Sequence, residues 1–182
     1  MLACAGVMLD ADPIRTGRLE IRRFSEADLD AAYAFNSDAK ARHFMGGVVS
    51  RTDSDSSFRR HIVSVGTTGF GARAVVERDA GLVVGYCGLQ KFAATEEVEL
   101  FYGLVPAAWG RGIATEASRA FVSLGFRSLS VDHLVAIVHP QNLGSIGVLE
   151  KLCFRRVGTY LHPRTQVEHL LLHLRAAEST DG

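Results

Sequence analysis

Hydrophobic periodicity changes repeatedly along this chain, and each change marks an element. Leu19 to Arg23 reads as a short strand. Ser25 and Asp28 have the spacing of a capping box, and Leu29, Ala32, Tyr33 and Asn36 then share one helix face. A loop carrying Gly46-Gly47 spans His43 to Arg51. Phe58, Ile62 and Val65 recur at helical spacing, in a second helix that starts near Asp53. Ala72, Ala74 and Val76 alternate with Arg73, Val75 and Glu77, the period of a strand. Asp79-Ala80-Gly81 turns that strand into another, Leu82 to Leu89.

The second half repeats the logic with a different connection. Val98, Leu100, Tyr102 and Leu104 alternate with Glu97, Glu99, Phe101 and Gly103. After Pro106 and a glycine turn, Ile113, Ala117, Ala120, Phe121 and Leu124 line the inner face of a helix from about Gly112 to Arg127. Leu134 to Val138 is a continuous apolar run, which predicts a buried strand. A last helix covers Leu143 to Leu152. Closing strands near Arg155–Tyr160 and Val167–Leu174 are joined by the turn His162-Pro163-Arg164-Thr165. Strand–helix–strand implies a parallel pair with a right-handed crossover. Meander, βαβ unit and hairpin together predict an α+β domain: a mixed, mostly antiparallel sheet of about six or seven strands flanked by about four helices.

The glycine turn carries the clearest chemistry. A helix N-terminus exposes unpaired N–H groups and the positive end of the helix dipole, so it suits a phosphate or pyrophosphate. Gly110 and Gly112 let backbone amides approach such an anion. A Walker-type loop needs G-x-x-x-x-G-K-[ST], and that spacing is absent around Gly110. A dinucleotide fingerprint needs a third glycine where Thr115 stands, and it belongs to the first strand of a βαβ unit rather than past mid-chain.

The segment from Pro106 to Ala117, PAAWGRGIATEA, resembles motif A of the GCN5-related N-acetyltransferase (GNAT) family, in the branch of the ribosomal-protein N-terminal acetyltransferases (the Rim type). Gly110, Arg111 and Gly112 match the glycine half of Q/R-x-x-G-x-G/A, with Ala107 at the Gln/Arg position. Asn142, Ser145, Glu150, Lys151 and Phe154 match a second family signature, with Cys153 in place of its glycine. TGRLEIR at Thr16–Arg22 resembles the family's opening strand, so the likeness runs from Thr16 to Leu174. It implies the GNAT fold, in which the two central parallel strands splay and admit the cofactor's pantetheine.

Composition bounds the alternatives. The chain has 182 residues, 47% hydrophobic and 22% charged, with 20 basic against 20 acidic residues. That suits one soluble domain, here 16–175 between a leader at 1–15 and a polar tail at 176–182, and it offers no general attraction to nucleic acid or an anionic membrane. Cys4, Cys87 and Cys153 are scattered, without disulfide or zinc spacing, which fits a reducing cytoplasm and no metal. Met1–Leu9 is a poor signal peptide and too short to span a bilayer. Oligomeric state is open, a homodimer being the commonest arrangement.

Acetyl transfer from acetyl-CoA to a primary amine assigns roles as follows. Amides of Gly110, Arg111, Gly112, Ile113, Ala114 and Thr115 face the diphosphate, with the Arg111 side chain adding charge and Trp109 flanking the turn. Exposed backbone at Leu104 and Val105 pairs with the pantetheine as an extra edge. Glu99, at the family's strand carboxylate, is the expected general base, with Glu168 and His169 in reserve. Ser145 matches the position that hydrogen-bonds the leaving sulfur, and Asn142 caps the last helix and reaches the pantetheine. The acceptor is a protein N-terminal α-amine or a small-molecule amine, its wall built from the first two helices, the loop His43–Arg51 and the hairpin His162–Gln166. A catalytically silent acyl-CoA-binding domain is the alternative reading.

Overall fold

The computed structural model describes residues 13–92, 95 and 97–176. Residues 1–12 of the expected leader, Cys4 and tail residues 177–182 lie outside these. The elements are β1 (Ile14–Arg15), β2 (Leu19–Arg22), α1 (Leu29–Ser37), α2 (Arg51–Thr68), β3 (Gly71–Glu77), β4 (Leu82–Lys91) and β5 (Val98–Leu104). Then come α3 (Ile113–Ser128), β6 (His133–Val138), α4 (Leu143–Lys151), β7 (Arg155–Leu161) and β8 (Glu168–Arg175). One mixed sheet holds eight strands in the order β1-β2-β3-β4-β5-β6-β8-β7. The strand beyond the expected count is β1, inside the expected leader, which pairs antiparallel with β2. Among the described residues, only β5 and β6 run parallel.

Both faces of the sheet are covered. Ala72, Ala74, Val76 and Tyr86 pack with Phe35 and Phe58 under α1 and α2. Leu19, Ile21, Val75, Cys87 and Leu89 pack with Ile113, Phe121 and Leu149 under α3 and α4. Alternation in β3 therefore sorts side chains between two cores rather than between core and water. Even Arg73 is fully buried there, its guanidinium 5.9 Å from the Phe121 ring centre.

Local signals set the helix ends. The Ser25 N–H and hydroxyl both donate to the Asp28 carboxylate at 2.8 Å, and Arg22 grips the same carboxylate with two bonds of 2.8 Å. Helix α2 starts two residues before the expected Asp53, because Ser50 caps it by accepting the Asp53 N–H at 3.2 Å. After α4, Cys153 adopts φ 67°, the left-handed conformation that glycine takes without strain.

Strands β5 and β6 share a single register partner, Glu99 with Val135. Beyond it their C-terminal halves diverge, while β5 stays paired to β4 from Val98 to Leu104. This gap is the splay that the family resemblance implies, and it positions the site.

Candidate active site

A cleft of about 580 Å³ opens where β5 and β6 part. Glu99, Phe101 and Tyr102 line it from β5, Ala136–Val138 from β6, and Asn142 and Ser145 from the start of α4. Alternation along β5 decides who faces where. Leu100 and Leu104 belong to the α3 core and Tyr102 packs on it, whereas Phe101 packs on the α1/α2 core. Glu99 shares the Phe101 parity and points to the α1/α2 side.

Glu99 is only 6% exposed, although a strand glutamate is ordinarily solvated. Gln90, its cross-strand partner, donates to it at 2.8 Å. Burial pushes the Glu99 carboxyl above its ordinary range, against the stabilising bond from Gln90. Glu168, held in reserve by sequence, is exposed and lines no part of the cleft, because the period of β8 turns it outward. His169, next to it, is 5% exposed and faces in. Burial, with His162 and His139 adding like-charge repulsion, lowers its pKa to about 4. It stacks on His162 at 4.7 Å and meets His139 edge-on at 5.4 Å. An imidazole held that far down stays neutral but takes a proton poorly near neutral pH.

Ser145 lines the cleft beside Tyr102, whose hydroxyl donates to the Ser145 carbonyl at 3.2 Å. Asn142 caps α4 by accepting the Ser145 N–H at 3.1 Å. The glycine turn follows β5 on the other side of the gap. Gly110 and Gly112 have φ of 70° and 77°, so both need the left-handed region. The first helical bond of α3 runs from the Glu116 N–H to the Gly112 carbonyl, which leaves the N–H groups of Gly112 to Thr115 without intrahelical partners.

Two expectations change. The Arg111 guanidinium is paired with Glu77 at 2.5 Å, so its charge is turned toward the end of β3 and the turn offers amides alone. The Val105 N–H donates to the Val84 carbonyl at 2.9 Å, and the Leu104 carbonyl accepts the Trp109 indole N–H at 2.8 Å. Ladder alternation then turns the Leu104 N–H and the Tyr102 backbone toward the gap. The backbone edge left facing the gap is Tyr102–Leu104, one step earlier than the expected Leu104–Val105.

The sequence motifs also meet where spacing could not show it. Glu116, near the end of the glycine motif, accepts bonds from Thr16 Oγ1 (2.5 Å), Arg18 N (2.9 Å) and Arg18 Nε (2.8 Å), and Arg18 Nη1 donates to the Arg111 carbonyl at 2.8 Å. Burial opposes the Glu116 charge, but these bonds outweigh it and hold its carboxyl below the ordinary range. The opening TGRL segment therefore braces the turn from nearly a hundred residues away. A shallow basin beside it is lined by Gly112, Thr115, Arg119 and Lys151.

At the opposite end of β5 and β6, Glu97, His133 and His173 bring potential ligand atoms within 4.8 Å of one another. The His133 and His173 rings stack at 18°, so their lone pairs run side by side and do not converge on one ion. His133 instead forms a 2.6 Å ion pair with Glu97.

Residues 18–155 match the family model of the acetyltransferase (GNAT) domain. The match covers most of the chain, and the chain belongs to this family: it transfers an acetyl group from acetyl-CoA to an amine. The uncharacterized N-acetyltransferase YnaD of Bacillus subtilis (strain 168) is 27% identical over 150 residues, 81% of this chain and 85% of YnaD. A solved acetyltransferase from Agrobacterium tumefaciens str. C58 matches with a TM-score of 0.78 at 27% identity, over 91% of this chain and 95% of that one. RimJ of Mycobacterium smegmatis, solved with CoA-disulfide, shares the fold with a TM-score of 0.71 at 20% identity, over 88% of this chain and 83% of RimJ.

Proposed function

We propose that this acetyltransferase works by direct attack of a primary amine, with Glu99 as general base and Ser145 as donor to the leaving sulfur. The residues present suit acetyl-CoA. The N–H groups of Gly112 to Thr115 and the left-handed turn before them fit a diphosphate, and the free edge at Tyr102–Leu104 fits a chain of amides. Bound there, the co-substrate supplies the acetyl thioester.

Glu99 removes the amine proton, directly or through a water, as the C–N bond forms and the C–S bond breaks. The raised affinity of its carboxyl for a proton suits this work near neutral pH. An α-amine, with a pKa near ~7.8, is deprotonated far more cheaply than a lysine near ~10.4. The Ser145 hydroxyl hydrogen-bonds the departing thiolate, and a water chain can complete the proton return.

The single observation that carries this reading is a buried carboxylate at the point where β5 and β6 part. Glu99→Gln keeps the size and the contact to Gln90 but removes the base. It is expected to lower kcat more than tenfold while acetyl-CoA affinity by calorimetry stays within about twofold. In the unmodified protein kcat/KM should rise with pH through the elevated Glu99 pKa, and that limb should vanish in the variant. Unchanged turnover removes Glu99 from the mechanism. Acetyl-CoA binding without amine-dependent thiol release would instead favour a silent binding domain.

A further inference from the structure

The acceptor side of the cleft has an unbalanced charge. Two loops build it: residues 38–50 after α1, and the hairpin tip at 162–166 between β7 and β8. They touch, since a Cβ placed on Gly46 would lie 2.7 Å from Arg164 Cδ. Each loop brings an arginine to the cleft wall, Arg42 and Arg164. Arg42 is 5% exposed, and its bonds go to the carbonyls of Gly47 and Met45 at 3.0 Å and to the Met45 sulfur at 3.8 Å. None of these partners carries a negative charge. Burial works against the Arg42 charge, Tyr86 offsets part of that, and Arg164 adds like-charge repulsion, so two like charges stand close together. Neither forms an ion pair with a carboxylate among the described residues. Among the described residues, Glu99 is the only carboxylate lining the cleft there. His162 and His169 are pushed toward the neutral form by burial, with Arg164 contributing at His162.

A buried cation such as Arg42 without a counter-ion is costly, and proteins ordinarily pair one; the exposed Arg164 sets a second like charge beside it. We infer that the acceptor itself brings the missing negative charge: it is a primary amine carrying a carboxylate, with the amine directed to Glu99 and the carboxylate to the Arg42–Arg164 wall. This rests on the acetyltransferase reading of the same cleft and specifies its substrate class. The same wall repels polycationic amines, because at a partly desolvated site like charges add to the barrier rather than being screened away. A guanidinium pair also reads a carboxylate by geometry, with parallel N–H donors that an ammonium lacks.

The carboxylate has two possible sources, so the test has two arms. One compares free amino acids with their carboxamides. The other compares C-terminally amidated tripeptides with Asp, Asn or Lys in the second position. Spermidine serves as the polycationic control. Acetyl-CoA consumption is followed by thiol release. In at least one arm the acid is expected to exceed its neutral isostere at least tenfold in kcat/KM, with spermidine the poorest acceptor. Arg164→Gln should shrink that ratio to below about threefold. Arg164→Glu should invert it in favour of the lysine peptide. Arg164 serves as the test position because it is exposed, whereas truncating Arg42 would also release the loop it staples.

Equal or better use of the neutral isostere in both arms, or of spermidine, overturns the inference and leaves the acetyltransferase reading intact. So does an acid preference that survives Arg164→Glu. Bound acetyl-CoA with no turnover on any amine of the panel would overturn both.

Discussion

At the scale of single residues, burial rather than residue type separates the candidates. Glu99 and Glu168 are both strand glutamates, but one lies inside the cleft and the other in water. Pattern alone could place Glu99 beside Tyr102 on β5. It could not show that packing in the sheet beside Gln90 would desolvate it. The same burial makes His169 a stability sensor. Its pKa is about 4 in the folded chain and ~6.5 when unfolded. Between those values the unfolded chain binds a proton that the folded chain refuses. Stability from this group is full above pH 6.5 and falls as pH drops toward 4, by about 3 kcal/mol at most. His133, its pKa raised by Glu97 and Asp132 against desolvation, acts in the opposite sense, losing its contribution as pH rises above 6.5. His169→Gln should therefore flatten the dependence of urea midpoint on pH between 4 and 6.5 and leave the alkaline side unaltered. An unchanged acid slope would show that His169 titrates normally.

At the scale of elements, the unit that matters is the turn from β5 into α3. Its glycines were legible because no side chain tolerates two left-handed positions so close together without strain. Gly112 has φ 77° and heads the orphan amides. Gly112→Glu adds strain and a negative charge at the place proposed for the diphosphate. It is expected to weaken acetyl-CoA binding at least a hundredfold by calorimetry, with the protein still folded by circular dichroism. Normal affinity would move the diphosphate elsewhere. The brace on this turn was not legible. Thr16, Arg18 and Glu116 are separated by about a hundred residues, and only the sheet order brings β2 alongside the start of α3. Arg111 misleads for the same reason: its partner Glu77 lies on β3. Cys153 was legible as a glycine substitute at a helix end, and its φ of 67° shows what the replacement costs locally.

At the scale of the whole molecule, function follows from one break in one sheet. Seven adjacent strand pairs hold the sheet, and one of them, β5 with β6, meets at one register position. Orphan amides at α3 and the inward backbone of Tyr102 and Leu104 then flank the opening, and the loops carrying Arg42 and Arg164 line the same cleft. Saturating coenzyme A should slow hydrogen exchange at Leu104 and at Gly112 to Thr115 by at least tenfold, since these amides lack partners in the free chain. The His133 end of β6, where Glu97 sits, should change little. Protection confined to the His133 end, or spread evenly, would contradict the placement. The described residues contain no helix long and apolar enough to cross a membrane.

Periodicity, turn chemistry and the two motif segments were enough to read the elements, the α+β class and the left-handed glycine turn, because those depend on short-range sterics and on which residues prefer water. The chain's order could not say which surfaces would meet. The sharing of Glu116 by Thr16 and Arg18, the desolvation of Glu99 and the convergence of Arg42 with Arg164 are contacts between distant segments. Each depends on how eight strands are ordered and where two of them separate, and only the packed structure decides that.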